Sequence, residues 1–226
     1  MTLFPDMVRS VLDSSITGRA QAAGHITVNA HNIRDYTQDK HRRVDDTPYG
    51  GGKGMLMMPQ PVCDCHDAIK ATLPEGTKVR TVYMSPKGAV FTQKKAEELL
   101  EYDCLILLCG HYEGIDQRAL DLVVDEYISV GDYVLTGGEI PACIVVDAVS
   151  RLIDGVLAAP ECYESESLQN GLLEYPQYTR PPIYRGLSVP DVLLSGHHGN
   201  IDKWRREEAL RTTEERRPDL LTNNDL

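Results

Sequence analysis

The stretch that most constrains this chain is Ser129-Val130-Gly131-Asp132-Tyr133-Val134-Leu135-Thr136-Gly137-Gly138-Glu139-Ile140-Pro141. An apolar run over residues 122–130 enters it and reads as a buried strand. A helical pattern over residues 140–153 leaves it, with Pro141 near the first turn, where proline is tolerated. Between them lie three glycines and few side chains able to do chemistry. Such a loop brings bare backbone N–H and C=O groups close to something flat or small. Two earlier stretches have the same form. Residues 79–84 read as a strand ending in Ser85-Pro86-Lys87-Gly88, and residues 104–109 as a strand ending in Gly110-His111-Tyr112-Glu113-Gly114-Ile115-Asp116. Helical periodicity over residues 61–73 and 94–101 completes an alternation of strand and helix. That alternation predicts an α/β fold with a parallel sheet and one ligand pocket at its carboxyl edge.

Composition narrows the class. The 226 residues are 42% hydrophobic and 25% charged, which suits a globular protein of one large or two modest domains. No apolar run approaches the roughly 20 residues of a membrane span. The start, Met1-Thr2-Leu3-Phe4-Pro5-Asp6, lacks a basic segment followed by an apolar one, so no signal peptide is expected and the protein is expected in the cytoplasm. Of six cysteines, Cys104, Cys109 and Cys143 sit in apolar runs, as reduced cysteines do. Cys63-Asp64-Cys65-His66 lacks a second ligand pair at zinc spacing and reads as a helix with two incidental thiols.

A net charge of −11 argues against nucleic acid if only the total is read. Its distribution argues otherwise. Residues 180–217 carry +2, and residues 33–53 add Arg34, Lys40, His41, Arg42, Arg43 and Lys53. Basic patches on an acidic chain permit RNA binding. Residues 32–53 end in the Gly-rich Tyr49-Gly50-Gly51-Gly52-Lys53, with neither the G-x-x-x-x-G-K-[ST] order nor a strand directly before it, so a phosphate-hydrolysing loop is disfavoured. The chain also lacks a G-x-G-x-x-G dinucleotide motif. Residues 4–23 read as a loop and an amphipathic helix, and residues 25–30 as a short strand. Residues 158–170 read as a linker of small, acidic and serine residues, of a composition that is commonly mobile. Helical patterns over 189–195 and 201–211 follow. There Trp204 reads as a core anchor, and His197 and His198 as helix-entry residues.

Four motifs in order resemble one family. They are Asp45-Asp46-Thr47-Pro48-Tyr49-Gly50-Gly51-Gly52, Gly110 to Asp116, Val130 to Glu139, and Gly171-Leu172-Leu173-Glu174-Tyr175-Pro176-Gln177-Tyr178-Thr179-Arg180-Pro181. They are similar to the bacterial tRNA (guanine-N1)-methyltransferases of the TrmD family, in the SPOUT superfamily. The resemblance implies a SPOUT-type α/β fold whose parallel sheet is tied in a deep trefoil knot around S-adenosylmethionine, a property that periodicity could never show. It implies a methyltransferase domain over 1–158, a linker over 159–169 and a small helical tRNA-binding domain over 170–226. It implies a homodimer with an active site shared between subunits, methylation of N1 of guanosine 37 in tRNA, and a requirement for Mg²⁺ with no dedicated ligand cluster in view. Family members carry a few more residues before the start, forming most of the first strand, so that strand is expected to be weak here.

Carried over residue by residue, the cofactor contacts fall on Tyr83, Ser85 and Pro86, then Gly110, Tyr112, Glu113 and Gly114. The third set is Val130, Gly131, Asp132, Tyr133, Val134, Leu135, Gly137, Gly138 and Pro141. Glu113 has a chemical reason of its own, because a carboxylate counters a sulfonium; its structural alternative is to cap the helix that begins near Asp116. The family's catalytic aspartate falls on Glu166, a departure of one methylene, with Glu164 in reserve. N1 of guanine carries a proton at neutral pH, so a carboxylate base belongs beside it. Arg151 matches an arginine near O6 of the base. It lies on the helix that starts at the third loop, which is expected to hold it near that loop, and its structural alternative is an i,i+4 pair with Asp147 on the same helix. The RNA contacts fall on His41, Arg43, Asp45 and Lys203. A ribose 2′-O-methyltransferase of the same superfamily, a non-enzymatic RNA-binding protein and an inactive paralogue are the alternatives. The first needs no carboxylate for N1, and the second needs no intact cofactor loops.

Overall fold

Alternation along the central strand gives it two apolar faces. Residues of β3 (Val79–Val90) pair in parallel with β4 (Cys104–Cys109) on one side, from Val79 opposite Cys104 to Met84 opposite Cys109. They pair in parallel with β5 (Glu126–Ser129) on the other, in the order β4-β3-β5. Tyr83, Ile106 and Leu108 point to one face and pack with Val62, Cys65 and Ile69 of α3 (Pro59–Thr72) and with Ala119, Leu120 and Val123 of α5 (Gln117–Val123). Val82, Met84, Cys109 and Ile128 point to the other. They pack with Ala96 and Leu99 of α4 (Gln93–Leu99) and Ala142, Val145 and Val149 of α6 (Glu139–Ser150). A parallel sheet covered on both faces needs such near-continuous apolar strands. The computed structural model describes residues 1–157, 167–168 and 171–222, and the chain divides into two units, Met1–Ala158 and Ala159–Leu226.

Three elements of the first unit differ from the sequence reading. The apolar run over 122–130 is not one strand, since α5 ends at Val123 and only Glu126–Ser129 pairs. Asp116 starts that helix by accepting the Arg118 N–H at 2.9 Å, and Ala119, Leu120 and Val123 bury its inner face. Nor does β3 end at Met84: Met84 and Ala89 both lie opposite Ile128, so residues 85–88 loop out as a bulge and the strand resumes. Gly88 there lies so close to the backbone of Tyr127 and Ile128 that a Cβ would meet it at under 3.0 Å. Residues 25–30 form no strand. They line a groove of about 740 Å³ along the outer edge of β4 instead of reaching its N–H and C=O groups. The first residues of the chain take that edge in part. The Met1 amine donates to the Leu107 carbonyl at 2.9 Å, the Cys109 N–H donates to Met1 at 3.0 Å, and Thr2 bridges Asn32. Residues 4–23 hold two helices, α1 (Pro5–Leu12) and α2 (Ser15–Ala22).

The second unit holds α7 (Asp191–Leu194), α8 (His198–Arg216) and α9 (Asp219–Thr222). A two-stranded hairpin of β6 (Ile183–Tyr184) and β7 (Leu187–Ser188) was not expected. Tyr175 and Tyr178 set their rings 6.4 Å from Trp204, so the tryptophan does anchor this unit. His197 and His198 sit at the entry of α8. Of the expected linker, only Ser167 and Leu168 are among the described residues.

Candidate active site

The second and third loops leave the carboxyl ends of β4 and β5, and the first is the bulge inside β3. In the first, Ser85 is buried and its hydroxyl accepts the Lys87 N–H at 3.3 Å, while Pro86 is exposed. Tyr83 lies beneath the second loop: a Cβ on Gly110 would come under 3.0 Å from its hydroxyl. Its ring meets Tyr127 edge-on at 5.5 Å, and burial pushes its phenol pKa up. Tyr83 is therefore the floor of the second loop.

The second loop is stitched to residues 54–57. Glu113 N–H donates to Met55, Met57 N–H to Gly114 and Asp116 N–H to Met57, at 2.9 to 3.0 Å. Through β2 (Leu56–Met57) and its antiparallel partner β1 (Asp45–Asp46), the polar stretch that precedes them is fastened to the ligand loop. Gly54 packs directly on the Glu113 side chain, where a Cβ would be under 3.0 Å from Oε1. Tyr112 takes a left-handed φ of 59°, and its hydroxyl accepts from Arg34 Nη2 at 3.1 Å. Gly114, at φ 120°, has no atom nearer than 3.9 Å to where a Cβ would stand. Its neighbours there, the Tyr83 hydroxyl and Leu56 Cδ1, stand at ordinary van der Waals contact, so the left-handed backbone and not a lack of room calls for glycine. Because Asp116 caps α5, Glu113 is exposed and free of that task.

In the third loop the Ser129 hydroxyl donates to Gly131 O at 2.9 Å, and Gly131, at φ 150°, has the Tyr133 ring where a side chain would go. Tyr133 hydroxyl donates to Val130 O at 3.2 Å. Asp132, Tyr133, Val134 and Leu135 are exposed, and Pro141 is buried. Gly138 N–H donates to Gly110 O at 3.1 Å, and a Cβ on Gly138 would strike the backbone of Cys109. The second and third loops therefore touch, backbone to backbone.

Two residues that the sequence reading did not single out bind these loops, Glu139 at that junction and Arg34 at Tyr112. Glu139 is 1% exposed; its Oε1 accepts from the Thr2 hydroxyl at 2.5 Å, and its Oε2 lies 2.7 Å from His111 Nε2. An acid in the first turn of an apolar helix looks like an ordinary dipole partner in sequence. Arg34 was equally inconspicuous within a basic cluster.

The other predicted residues lie apart. Arg151 caps the far end of α6, thirteen residues beyond Gly138 and so about 20 Å along the helix. The helix carries it away from the third loop, contrary to the sequence expectation. Arg43 binds Asp39 through Nε at 3.2 Å and Nη2 at 2.7 Å, and this guanidinium holds the Asp39 carboxyl far below the usual range. His41 is exposed, with its N–H on Asp39 at 2.7 Å, and Asp45 sits opposite Met57 in the β1–β2 pair. Lys203 faces Glu207 at 3.8 Å on α8. Glu166 and Glu164 lie outside the described residues. Among the described residues no three His, Cys, Asp or Glu side chains group as a metal site. In the Cys63–His66 stretch, His66 instead meets Thr81 at 3.2 Å and Cys65 is buried in the core.

Residues 1–223 match the family model described as tRNA (Guanine-1)-methyltransferase TrmD. A Lachnospira eligens protein named tRNA (guanine-N(1)-)-methyltransferase is 58% identical over 220 residues, covering 97% of this chain and 92% of the relative. Proteins of the same name from Ruminiclostridium cellulolyticum and Clostridioides difficile are 57% and 53% identical. Those alignments cover 98% and 97% of this chain, and 94% and 95% of the relatives. With a match of this length over both units, the chain belongs to the TrmD family of tRNA (guanine-N1)-methyltransferases.

Proposed function

We propose that this protein methylates N1 of guanosine 37 in tRNA, taking the methyl group from S-adenosylmethionine. The observation that carries the reading is the convergence of three loops at one sheet edge, in a chain whose relatives bear the name of this activity. Tyr112, Gly114 and Gly131 offer backbone to the adenosyl group, and Glu113 offers the carboxylate that favours a cationic neighbour. S-adenosylmethionine supplies a methyl on a sulfonium that already leaves well. The protein's share is positioning and proton removal.

In this reading Glu166 takes the N1 proton, and Arg151 stabilises the charge that builds on O6. Since Arg151 stands about 20 Å along α6 from Gly138 of its own chain, the reading requires a site shared between two subunits. Phe4, Met7 and Val11 at α1 and Ile140 and Ile144 on α6 are exposed although α1 packs on α6. That apolar surface suits a second copy. Arg43, His41, Asp45 and Lys203 meet the RNA, the first unit carries the trefoil knot and the second unit holds the tRNA. The reaction is expected to require Mg²⁺, and among the described residues no cluster of His, Cys, Asp or Glu is grouped to hold it. Among the described residues no helix is long and apolar enough to cross a membrane, and a tRNA substrate places the enzyme in the cytoplasm.

The test is incubation of the protein with S-adenosylmethionine, Mg²⁺ and a guanosine-37 tRNA transcript, followed by nucleoside mass spectrometry. 1-Methylguanosine that disappears with Glu166→Ala and persists with Glu164→Ala is the expected result. A 2′-O-methylated nucleoside, or no product, overturns the assignment.

A further inference from the structure

Glu139 is a carboxylate taken almost wholly out of water at the start of an apolar helix. A buried charge persists only where hydrogen bonds replace its hydration. Here the two oxygens divide between two parts of the chain: Thr2, beside the edge of β4, and His111, in the second loop. Thr2 is itself held, its hydroxyl accepting the Phe4 N–H at 2.8 Å, and the Phe4 ring lies 4.8 Å from the His111 ring. Next to them, a Cβ on Gly137 would lie under 3.0 Å from His111 Cε1 and Nε2 and from Glu139 Oε2. Gly137 does not adopt the left-handed backbone that would otherwise call for glycine. The space its missing side chain leaves is filled by this pair, not by room for a ligand.

We propose that Glu139 is a positioning residue whose carboxylate, gripped by Thr2 and His111, latches the second loop to the third and so sets the affinity for S-adenosylmethionine. Gly137 is glycine so that the latch can close. This rests on the reading of the loops as the S-adenosylmethionine pocket. It moves Gly137 from contact with the ligand to support of the loops that make it. Gly110 and Gly138 already share a backbone hydrogen bond at the same junction, so a loosened latch frees the edges of both loops together.

A double-mutant cycle on the full chain tests this, with S-adenosylmethionine affinity read by calorimetry and kcat and KM read with tRNA. Glu139→Gln and Gly137→Ala should each weaken binding about tenfold, the scale of one lost charge-assisted hydrogen bond. KM for S-adenosylmethionine should rise while kcat at saturation stays nearly level. The double variant should be little worse than either single one, because both remove the same contact. His111→Gln, which keeps a donor, should bind more tightly than His111→Ala, and it serves if Glu139→Gln fails to melt cooperatively. Additive losses in the cycle, or Glu139→Gln binding as tightly as the unaltered chain, would overturn the latch alone. Failure of the unaltered chain to bind would overturn the pocket itself and the latch with it.

Discussion

α6 in the first unit and α8 in the second are both long helices, but they are held differently. Of the twelve residues of α6, seven are buried, between the sheet on one side and α1 and α4 on others. Of the nineteen of α8, only Thr213 is buried. α8 relies on aromatic contacts around Trp204, on the Thr213 hydroxyl, which accepts the Leu173 N–H at 2.8 Å and donates to Ala209 O at 2.7 Å, and on surface ion pairs. The difference teaches where rigidity is spent. Loops that must present backbone to a small ligand hang from elements fixed by burial on both faces. A charged helix surface that meets solvent or a polyanion needs only enough packing to keep its shape.

The largest effect that would break this contrast is a cavity. Leu108 is fully buried in the sheet, so Leu108→Ala should cost about 3–5 kcal/mol in urea unfolding. Trp204→Ala, on a half-buried ring, should cost about 1–2 kcal/mol. Equal losses would mean that the second unit is packed as tightly as the first. Next in size is an alkaline weakness confined to the first unit. Burial pushes the thiols of Cys65 and Cys109 up to about 12, from an ordinary value of 9.0. Below pH 9 both remain protonated whether folded or unfolded. Between pH 9 and about 12 only the unfolded chain ionises, so stability falls as pH rises, and Cys109→Ala should flatten that fall. Both of these thiols lie in the first unit, so spectral changes at Trp204 should not follow this limb. Smaller again, Thr213→Val should destabilise by about 1–2 kcal/mol through the orphaned Leu173 N–H, without touching S-adenosylmethionine binding.

What was legible in the sequence was whatever periodicity or a long motif carries. The alternation of strands β3 to β5 with helices α3 to α6, and the glycine loops after the strands, followed from apolar runs punctuated by glycine. The boundary inside residues 122–130 did not, because Leu122 and Val123 are apolar in a helix end and in a strand alike. Only the Asp116 cap decides between them. Residues 25–30 alternate correctly for a strand, but pairing needs a neighbour's free N–H and C=O groups, and periodicity cannot report those. At the site, Gly137 looked like clearance for a ligand, yet its space belongs to His111 and Glu139, residues 26 and 2 positions away. Glycine reports that room is needed and never says for what. The fate of Arg151 turned on helix length, which was also on the page in sequence; direction along the axis was the part left out.

The finest test asks whether the first unit also has a surface of the α8 kind. Residues 32–53 are rich in charge, and Arg43 is exposed, with its guanidinium on the Asp39 carboxylate. An exposed pair of this sort does little for folding, because water and salt screen it. Arg43→Ala should therefore leave the melting temperature in place. If Arg43 meets a phosphate, the same variant should weaken tRNA binding evenly across tRNAs and lower the slope of log affinity against log salt by about 1. Asp39→Asn sharpens the point. It removes the competing negative charge and keeps a side-chain oxygen to accept from the His41 and Arg43 backbone N–H groups, so tRNA should bind more tightly. Acid is no substitute for that variant. Arg43 holds the Asp39 carboxyl far below its ordinary value, so the pair persists as pH falls through the usual carboxylate range, and RNA affinity should gain nothing there from Asp39. A salt slope unchanged in Arg43→Ala would make this a solvated face of the first unit, and would leave the reading of tRNA to the surface that α8 presents.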